Sequence, residues 1–264
     1  MVEKKVYPVS SFQICVRLVQ RDLLIFCRTS KRRFINRSLW MMVLMYVYEY
    51  IGFSKAAGFG LFVACGEFAD YGFSNVFSRI VSLVADIRGT RVINYYLTLP
   101  VPQYMVFICI AISMFVQLLA IALVLLLVAK LVLLDRFDLA RFSFIKAFFI
   151  FLSAYMFYGT LALLYTSMIK SIDSLNNVYF RVRETLFWTG CYFFTWQRLY
   201  EAHYVLAYLD LLNPFVYACE GMRMAIMGAE SMLPFWSCCV VLLLCGALAT
   251  YVGTRRLMMQ LDCI

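Results

Sequence analysis

The sequence predicts an all-α integral membrane protein with six transmembrane helices, an N-terminal interfacial amphipathic helix and a re-entrant helical pair before the last span. Three observations predict this class. Of the 264 residues, 64% are apolar or aromatic and only 15% are charged, against about half and about a quarter in soluble domains. The apolar residues form runs of about 20, the length a helix needs to cross the hydrocarbon core. The charges lie mostly between these runs.

The first element is an amphipathic helix over residues 12–28. Its polar side chains recur at helical spacing on one side, and apolar side chains fill much of the rest. This pattern is typical of a helix that lies in the membrane interface. A basic cluster follows at Lys31, Arg32, Arg33 and Arg37. The polar start of the chain lacks the apolar core of a signal peptide, so we expect no cleavable leader.

Six apolar runs follow, and each is predicted to be a span. They cover residues 36–53, 58–84, 104–129, 143–167, 178–197 and 232–253. A polar link at 85–103 joins the second span to the third, and residues 198–231 separate the last two. The other connections are short, so we expect residues 1–264 to form a single transmembrane domain with no soluble domain.

The distribution of basic residues predicts the orientation. Of the 24 Lys and Arg residues, 17 fall on the side that holds both termini and the link 85–103. Because cytoplasmic loops carry the excess of Lys and Arg, both termini should be cytoplasmic. The net charge of +9 then suits anionic lipid headgroups, and we expect no nucleic-acid partner.

The region 198–231 is too long for a turn and too apolar for a free loop. Asn213 suits a helix cap and Pro214 suits the first helical position, so a helix should begin there. Gly228 is a natural stop for that helix. We therefore predict a pair of short helices that dip into the membrane from the outer side and return.

Two charges lie inside this predicted helix. Glu220 and Arg223 are three residues apart, so they share a helical face and can pair. Irregular backbone at membrane depth is tolerated only against protein or a water-filled path. The pair therefore belongs either to an outer gate beside a conduit or to an ordinary helix hairpin that packs on the bundle.

Further polar and aromatic residues lie within the spans. Glu67 and Asp70 are acids in the second span, where such residues usually face the bundle interior or water. Tyr46, Trp188 and Tyr192 belong to clusters of aromatic residues, which suit a glycan path but also form interfacial belts in any membrane protein. These five residues are candidates for lining a path, with helix packing as the alternative.

The motifs of catalytic and metal sites are missing from the sequence. It contains no GxxxxGK[ST], HExxH or GxSxG, and His203 is the only histidine. The ten cysteines include no CxxC pair and lie mostly in apolar runs, where Cys behaves as a small hydrophobe. We therefore expect no enzyme activity, no metal or cofactor bound by this chain, and no disulfide framework.

The order of these elements resembles a known family. An interfacial N-terminal helix, six spans, a Gly-Thr link after the second span and NPFVYACEGMR before the last span resemble the permease subunit of type-2 ATP-binding-cassette (ABC) exporters. The Asn-Pro…Glu-x-x-Arg pattern and the slight outer loops look most like permeases that export capsule, O-antigen or teichoic-acid polymers. Drug and lipid exporters of this family share much of the pattern.

The resemblance implies a coupling helix in the link 85–103, docked on a separate cytoplasmic ATPase. The residues that match this segment are Asp86, Arg88, Gly89, Thr90 and Arg91. Here Arg91 follows the Gly-Thr pair, where the family usually has an acidic residue, and Leu99-Pro100 lies further on than the family's Thr-Pro. The outer re-entrant gate would be residues 199–228.

The resemblance also implies partners and a location. Two permease copies, which we expect to be a homodimer, would join two ATPase subunits that carry ATP and magnesium, in a bacterial inner membrane. The substrate would be a lipid-linked polysaccharide or a related cell-envelope glycan. A drug or lipid exporter is the alternative within the family, and a passive channel or an assembly scaffold is the alternative outside it. A membrane-embedded enzyme would need a cluster of His, Asp or Glu at one depth, which the sequence lacks.

Overall fold

The computed structural model describes residues 11–51, 58–85, 102–134, 137–169, 177 and 179–261. Within these ranges the chain forms nine α-helices, two π-helical segments and no strands, which confirms the all-α class. The α-helices are α1 Ser11–Tyr46, α2 Phe59–Ala85, α3 Gln103–Leu133, α4 Phe144–Met168, α5 Thr185–Thr189, α6 Trp196–Ala202, α7 Tyr204–Asp210, α8 Pro214–Ile226 and α9 Phe235–Leu261. One π-helical segment, Val47–Ile51, continues α1, and the other, Tyr179–Glu184, precedes α5.

Helix α1 joins two elements that were predicted to be separate. The predicted interfacial helix 12–28 and the first part of the span 36–53 form one uninterrupted helix of 36 residues. Neither Gly nor Pro occurs between Ser11 and Tyr46, and the basic residues of the predicted boundary are good helix formers. At 1.5 Å per residue the helix is about 54 Å long, well beyond the hydrocarbon thickness. A separate interfacial helix was therefore a wrong prediction.

Helices α1 and α2 run in opposite directions. The Glu49 carboxylate accepts a hydrogen bond from the Gly60 N–H at 2.7 Å, close to where the first passage finishes and α2 begins. Arg79, near the end of α2, lies 4.0 Å from Asp22, which belongs to the first third of α1. We call the end of the bundle where α1 begins the near end, and the opposite end the far end.

Helix α3 packs along α1 in the same direction. A disulfide joins Cys15 of α1 to Cys109 of α3. Further along both helices, the Tyr50 hydroxyl donates to the Val132 carbonyl at 3.5 Å. This disulfide departs from the expectation of no disulfide framework. It could not be predicted because both cysteines lie in helical segments far apart in the chain and no spacing motif connects them.

Helix α4 runs back towards the near end, and α9 runs beside it in the same direction. Leu163 late in α4 and Leu257 late in α9 share a buried cluster with Val106 at the start of α3. The Phe149 and Trp236 rings, near the starts of α4 and α9, lie 5.4 Å apart. Because α4 and α9 run in the same direction, the chain must return to the far end after α4 and before α9.

The return segment, Tyr179–Thr195, lies beside α2. The Tyr179 ring lies 5.4 Å from the Phe77 ring, and the Tyr192 hydroxyl donates to Glu67 at 3.0 Å, so the segment runs antiparallel to α2. Among the described residues, six segments therefore run along the bundle axis: α1, α2, α3, α4, the return segment and α9. Both the first and the last described helical ends lie at the near end.

The return segment is not the continuous helix predicted for 178–197. The helix stops at Thr189, and the next α-helix begins only at Trp196. Between them Cys191 has a φ of +60°, a left-handed conformation that interrupts helical hydrogen bonding. Residues 178–197 are apolar, as the sequence indicates, but they do not form one continuous helix.

Three helices are long and apolar enough to cross a membrane among the residues described. They are Tyr104–Leu133, Phe144–Met168 and Phe235–Met259, and they coincide with the predicted spans 104–129, 143–167 and 232–253. Large apolar side chains are exposed along α9 as well, which is expected of a surface that faces lipid. These exposed residues include Trp236, Val240, Leu243, Leu244, Leu248 and Tyr251.

Helix α4 is the centre of the bundle and approaches α9 closely. A Cβ atom on Gly253 would lie 2.9 Å from the backbone nitrogen of Leu164, so only glycine fits there. At Gly246, on the same face of α9, an added Cβ would find its nearest atom, the Phe157 Cα, at 3.4 Å. Small residues at such contacts let membrane helices pack backbone to backbone.

This contact predicts unequal effects of two alanine substitutions. Gly253→Ala should destabilise the protein by about 1–3 kcal/mol, because the new methyl group overlaps the α4 backbone. Gly246→Ala is the matched control and should be neutral or stabilising by up to about 1 kcal/mol, because alanine favours the helix and its methyl group finds room. Thermal unfolding of both variants in detergent measures the difference. Equal melting temperatures would contradict the close approach of α4 and α9.

Candidate functional site

The far end of the bundle carries a group of short helices, α6, α7 and α8, before the last passage. Helix α8 is buried against α2, α4 and α9 along almost its whole length. Helix α7 instead exposes many of its apolar side chains, including Tyr204, Val205, Leu206, Tyr208 and Leu209, and α6 exposes its polar residues Gln197, Arg198 and Glu201. Region 198–231 is therefore largely helical, but it holds three helices where a pair was predicted, with one inside the bundle and two at its surface.

The predicted boundaries of α8 are confirmed to within two residues. Asn213 caps the helix, with its side-chain oxygen accepting from the Phe215 N–H at 3.0 Å, and Pro214 occupies the first helical position. The helix finishes at Ile226, and Gly228 follows with a φ of +63°. These are the local rules for helix capping and termination, so sequence alone could find them.

Asn213 also joins α8 to the return segment. Its amide nitrogen donates to the Leu186 carbonyl at 2.8 Å and to the Thr189 hydroxyl at 3.1 Å. One buried side chain therefore caps α8 and binds the last turn of α5. An alanine at this position would lose both functions.

Arg223 holds the irregular turn that follows α5. Its guanidinium donates to three backbone carbonyls, those of Cys191 at 2.5 Å, Tyr192 at 2.7 Å and Phe194 at 3.1 Å. The guanidinium also lies 3.7 Å from the centre of the Phe62 ring. One side chain of α8 thus satisfies three carbonyls of the irregular turn between α5 and α6.

Glu220 neutralises Arg223 and extends the network. Its carboxylate accepts from the Arg223 guanidinium at 3.2 Å, from the Trp196 N–H at 3.0 Å and from the Ser231 hydroxyl at 2.8 Å. Both charged residues are only 2–3% exposed. The predicted pair is formed, and it lies in the protein interior, where it connects the turn, α8 and the segment before α9. We call this set of contacts the far-end clamp.

A second charged network joins α1, α2 and the return segment. Arg37 lies 2.5 Å from Glu67 and 3.3 Å from Asp70, and Arg183 lies 2.5 Å from Asp70. The Tyr192 hydroxyl donates to the other oxygen of Glu67. We call Arg37, Glu67, Asp70 and Arg183 the ion cluster, in which two cations balance two acids.

Two further residues support the ion cluster. The Ser74 hydroxyl donates to Asp70 at 2.9 Å and accepts from Arg183 at 3.0 Å. Glu184 pairs with Arg183 at 2.5 Å. Because Tyr192 contacts Glu67 and its own carbonyl is held by Arg223, the ion cluster and the far-end clamp meet at this residue.

Sequence analysis found the acids of the ion cluster but missed their partners. Arg37 was assigned to a basic cluster and Arg183 was counted only among the basic residues that set the orientation, whereas both lie against the acids of α2. One signal was available in the sequence. Glu67 and Asp70 lie one helical turn apart in an apolar run, and buried carboxylates there must be paired with cations. That requirement predicts two cations, but it does not say which of the many basic residues supply them.

The other candidate residues are separated in the structure. Tyr46 and Trp188 have exposed side chains on the surface of the bundle, whereas Tyr192 is buried beside Glu67. The candidate coupling residues 86 and 88–91 lie outside the described residues. Their flanking helices, α2 and α3, place both ends of the link at the near end.

Comparison of the chain with protein-family models, with curated proteins and with solved structures gives no match. The functional assignment therefore rests on the geometry of the chain and on the resemblance described above.

The far-end clamp predicts a large cost for removing its cation. Arg223→Met should destabilise the protein by about 3–5 kcal/mol, because it leaves Glu220 buried without its partner and three carbonyls unsatisfied. Arg198→Met, an exposed substitution on α6, is the control and should be close to neutral. Thermal unfolding in detergent compares the two, and a stable Arg223→Met variant would rule out the clamp.

The ion cluster predicts strong coupling between Asp70 and Arg183. A double-mutant cycle with Asp70→Asn and Arg183→Gln should give an interaction energy of about 1–3 kcal/mol. The control is the exposed pair Asp138–Arg141, for which Asp138→Asn and Arg141→Gln should give less than about 1 kcal/mol. Equal coupling in both cycles would contradict the buried cluster.

Proposed function

We propose that this chain is the transmembrane permease subunit of an ATP-driven ABC exporter, which moves a lipid-linked polysaccharide or a related glycan across a bacterial inner membrane. One observation carries the proposal. The fifth passage is broken near the far end and is fixed, by the Asn-Pro and Glu-x-x-Arg residues, to a buried helix just before the last passage. This is the arrangement expected of an outer re-entrant element beside a substrate path.

In this proposal all six passages cross the membrane. The three apolar helices need no special support, whereas α1, α2 and the return segment carry charges in their interiors. Those charges pair with one another in the ion cluster, which is how ionisable residues are tolerated at membrane depth. Since α1 begins and α9 finishes at the near end, the excess of basic residues there supports a cytoplasmic location for both termini.

Energy has to come from a partner, because the sequence contains no nucleotide-binding motif. The link 85–103 leaves α2 and enters α3 at the near end, on the proposed cytoplasmic side, where two ATPase subunits with ATP and magnesium would dock. Its candidate docking residues are Asp86, Arg88, Gly89, Thr90 and Arg91. Two copies of the permease, expected to be identical, would enclose the path between them.

The contacts along α2 offer a route for the movement. A push on the link would act on the end of α2, and α2 holds Tyr192 both through the Glu67 hydrogen bond and by close packing at Gly66. Arg223 binds the Tyr192 carbonyl, so displacement of α2 would reach α8 at the far end. Such a shift between two packed arrangements is the usual form of a switching transition.

The test begins with affinity purification of the chain in mild detergent from its own host, followed by mass spectrometry and an ATP-hydrolysis assay. We expect a stoichiometric ATPase subunit with activity. Arg88→Ala with Arg91→Ala should lose that subunit, since both cations belong to the docking segment. The control is Arg255→Ala with Arg256→Ala, a basic pair near the end of α9 at the near end of the bundle. This variant should retain the ATPase subunit.

The result also separates the alternatives. A chain that purifies alone and without hydrolysis, even after crosslinking, would refute the exporter and favour a passive channel or an assembly scaffold. An ATPase complex that is stimulated by a drug or a simple lipid, and not by a glycan lipid, would keep the exporter and change its substrate class.

A further inference from the structure

A cavity of about 430 Å³ lies at the far end of the bundle, between α5, the turn that follows it, and helices α6 and α7. This volume is within the range of small-molecule pockets. Leucine side chains, Trp188 and Phe194 supply most of its lining, and its polar members among the described residues are Thr189, Asp210 and Asn213. We call it the far-end cavity. It borders the far-end clamp at Phe194, whose carbonyl accepts a hydrogen bond from the Arg223 guanidinium.

The mouth of the far-end cavity is apolar and its floor is polar. Trp188, Leu206 and Leu212 are exposed at the surface, whereas Asp210 and Asn213 are buried. A molecule that enters the cavity therefore meets apolar side chains first and a carboxylate last. A ligand with an apolar body and one polar head matches this gradient.

The contacts of the Asp210 carboxylate within the chain are weak. The Cys191 thiol donates to it at a sulfur–oxygen distance of 3.6 Å, and a thiol is a poor hydrogen-bond donor. The side chains of Thr189 and Asn213 add further weak interactions. These neutral groups orient the carboxylate, but they do not cancel its charge.

No cation neutralises Asp210 within the described part of the chain. No Lys or Arg side chain lies within ion-pair distance of its carboxylate there, and Arg223, which binds the Cys191 carbonyl, forms its ion pair with Glu220. Burial raises the pKa of Asp210 to about 6, so the carboxylate is still largely ionised at neutral pH. Because a buried charge is costly unless an opposite charge pairs with it, a cation that enters the cavity would be stabilised there.

We infer that the far-end cavity binds a drug-sized apolar molecule that carries an ammonium group. The ammonium pairs with Asp210 through charge-assisted hydrogen bonds, which are stronger than those of a neutral head. The apolar body lies among the leucine side chains and the Trp188 indole. The volume of the cavity suits a compact molecule better than a lipid with two acyl chains. The inference concerns the isolated chain and does not depend on the exporter proposal.

Three probes of equal chain length separate the charge from the apolar body. Decylamine carries an ammonium group, decanol a neutral hydroxyl and decanoate a carboxylate. Binding of each to the purified full-length chain in neutral detergent is measured by native mass spectrometry. We expect decylamine to bind about tenfold more tightly than decanol, the effect of one charge-assisted hydrogen bond. Decanoate should bind most weakly, because its charge repels that of Asp210.

Variants locate the binding in the far-end cavity. Asp210→Asn keeps the shape of the side chain and removes its charge, so it should weaken decylamine binding about tenfold. Decanol binding should not change in this variant, which shows that the cavity is intact. Leu206→Trp fills the exposed mouth without changing any charge, and it should weaken the binding of both probes. Glu201→Gln, which removes an exposed acid from α6 at the same end of the bundle, is the control and should bind like the parent chain.

Each other outcome overturns a stated part of the inference. Equal binding of decylamine and decanol to the parent chain would leave only an apolar groove. Equal decylamine binding by the parent chain, Asp210→Asn and Leu206→Trp would show that the cavity is not the site. A loss in Glu201→Gln as large as that in Asp210→Asn would reduce the effect to general surface charge. Displacement of decylamine by phosphatidylethanolamine at the same concentration would make the headgroup amine of a membrane lipid the ligand.

Discussion

The hydrogen bonds from Arg223 to the carbonyls of Cys191, Tyr192 and Phe194 hold together the irregular turn between α5 and α6. A helix that stops inside an apolar environment leaves carbonyl groups that no water can reach. A single guanidinium with five donors is suited to satisfy several of them at once. Glu220 in turn neutralises Arg223. The turn after α5 therefore depends on Arg223, and the burial of Arg223 depends on Glu220 of the same helix, α8.

The ion cluster pairs the charged residues that lie inside otherwise apolar passages at the middle of the bundle. Glu67 and Asp70 make α2 too polar to sit against lipid, and Arg37 and Arg183 do the same for α1 and the return segment. When the four charges of the ion cluster pair, they form an internal contact between α1, α2 and the return segment. This contact determines that these three passages pack together. Helices α3, α4 and α9 carry no such charges in their middles and pack instead through apolar surfaces and close glycine contacts.

The two networks meet at Tyr192, whose hydroxyl and carbonyl are bound from different directions. This shared residue connects α2 directly to α8 at the far end. A protein that has to transmit force along its axis needs such rigid contacts between elements with two alternative arrangements.

Much of the fold could be predicted from local patterns. The apolar runs determined α3, α4 and α9, because a continuous run of about 20 residues is by itself sufficient to define a membrane helix. Local capping chemistry determined α8, since Asn213, Pro214 and Gly228 act on their own backbone neighbours. The spacing of Glu220 and Arg223 also predicted their pairing, because residues three apart on a helix always share a face.

Tertiary structure decided the rest, for reasons that no local pattern contains. The break in the fifth passage depends on Arg223, which lies about thirty residues further along the chain than the carbonyls it binds. The partners of Glu67 and Asp70 come from two other passages, and many basic residues could have supplied them. By itself the sequence determined which segments are helical and apolar; only packing decided which charges meet, because burial makes every unpaired polar group costly and leaves the choice of partner to the fold.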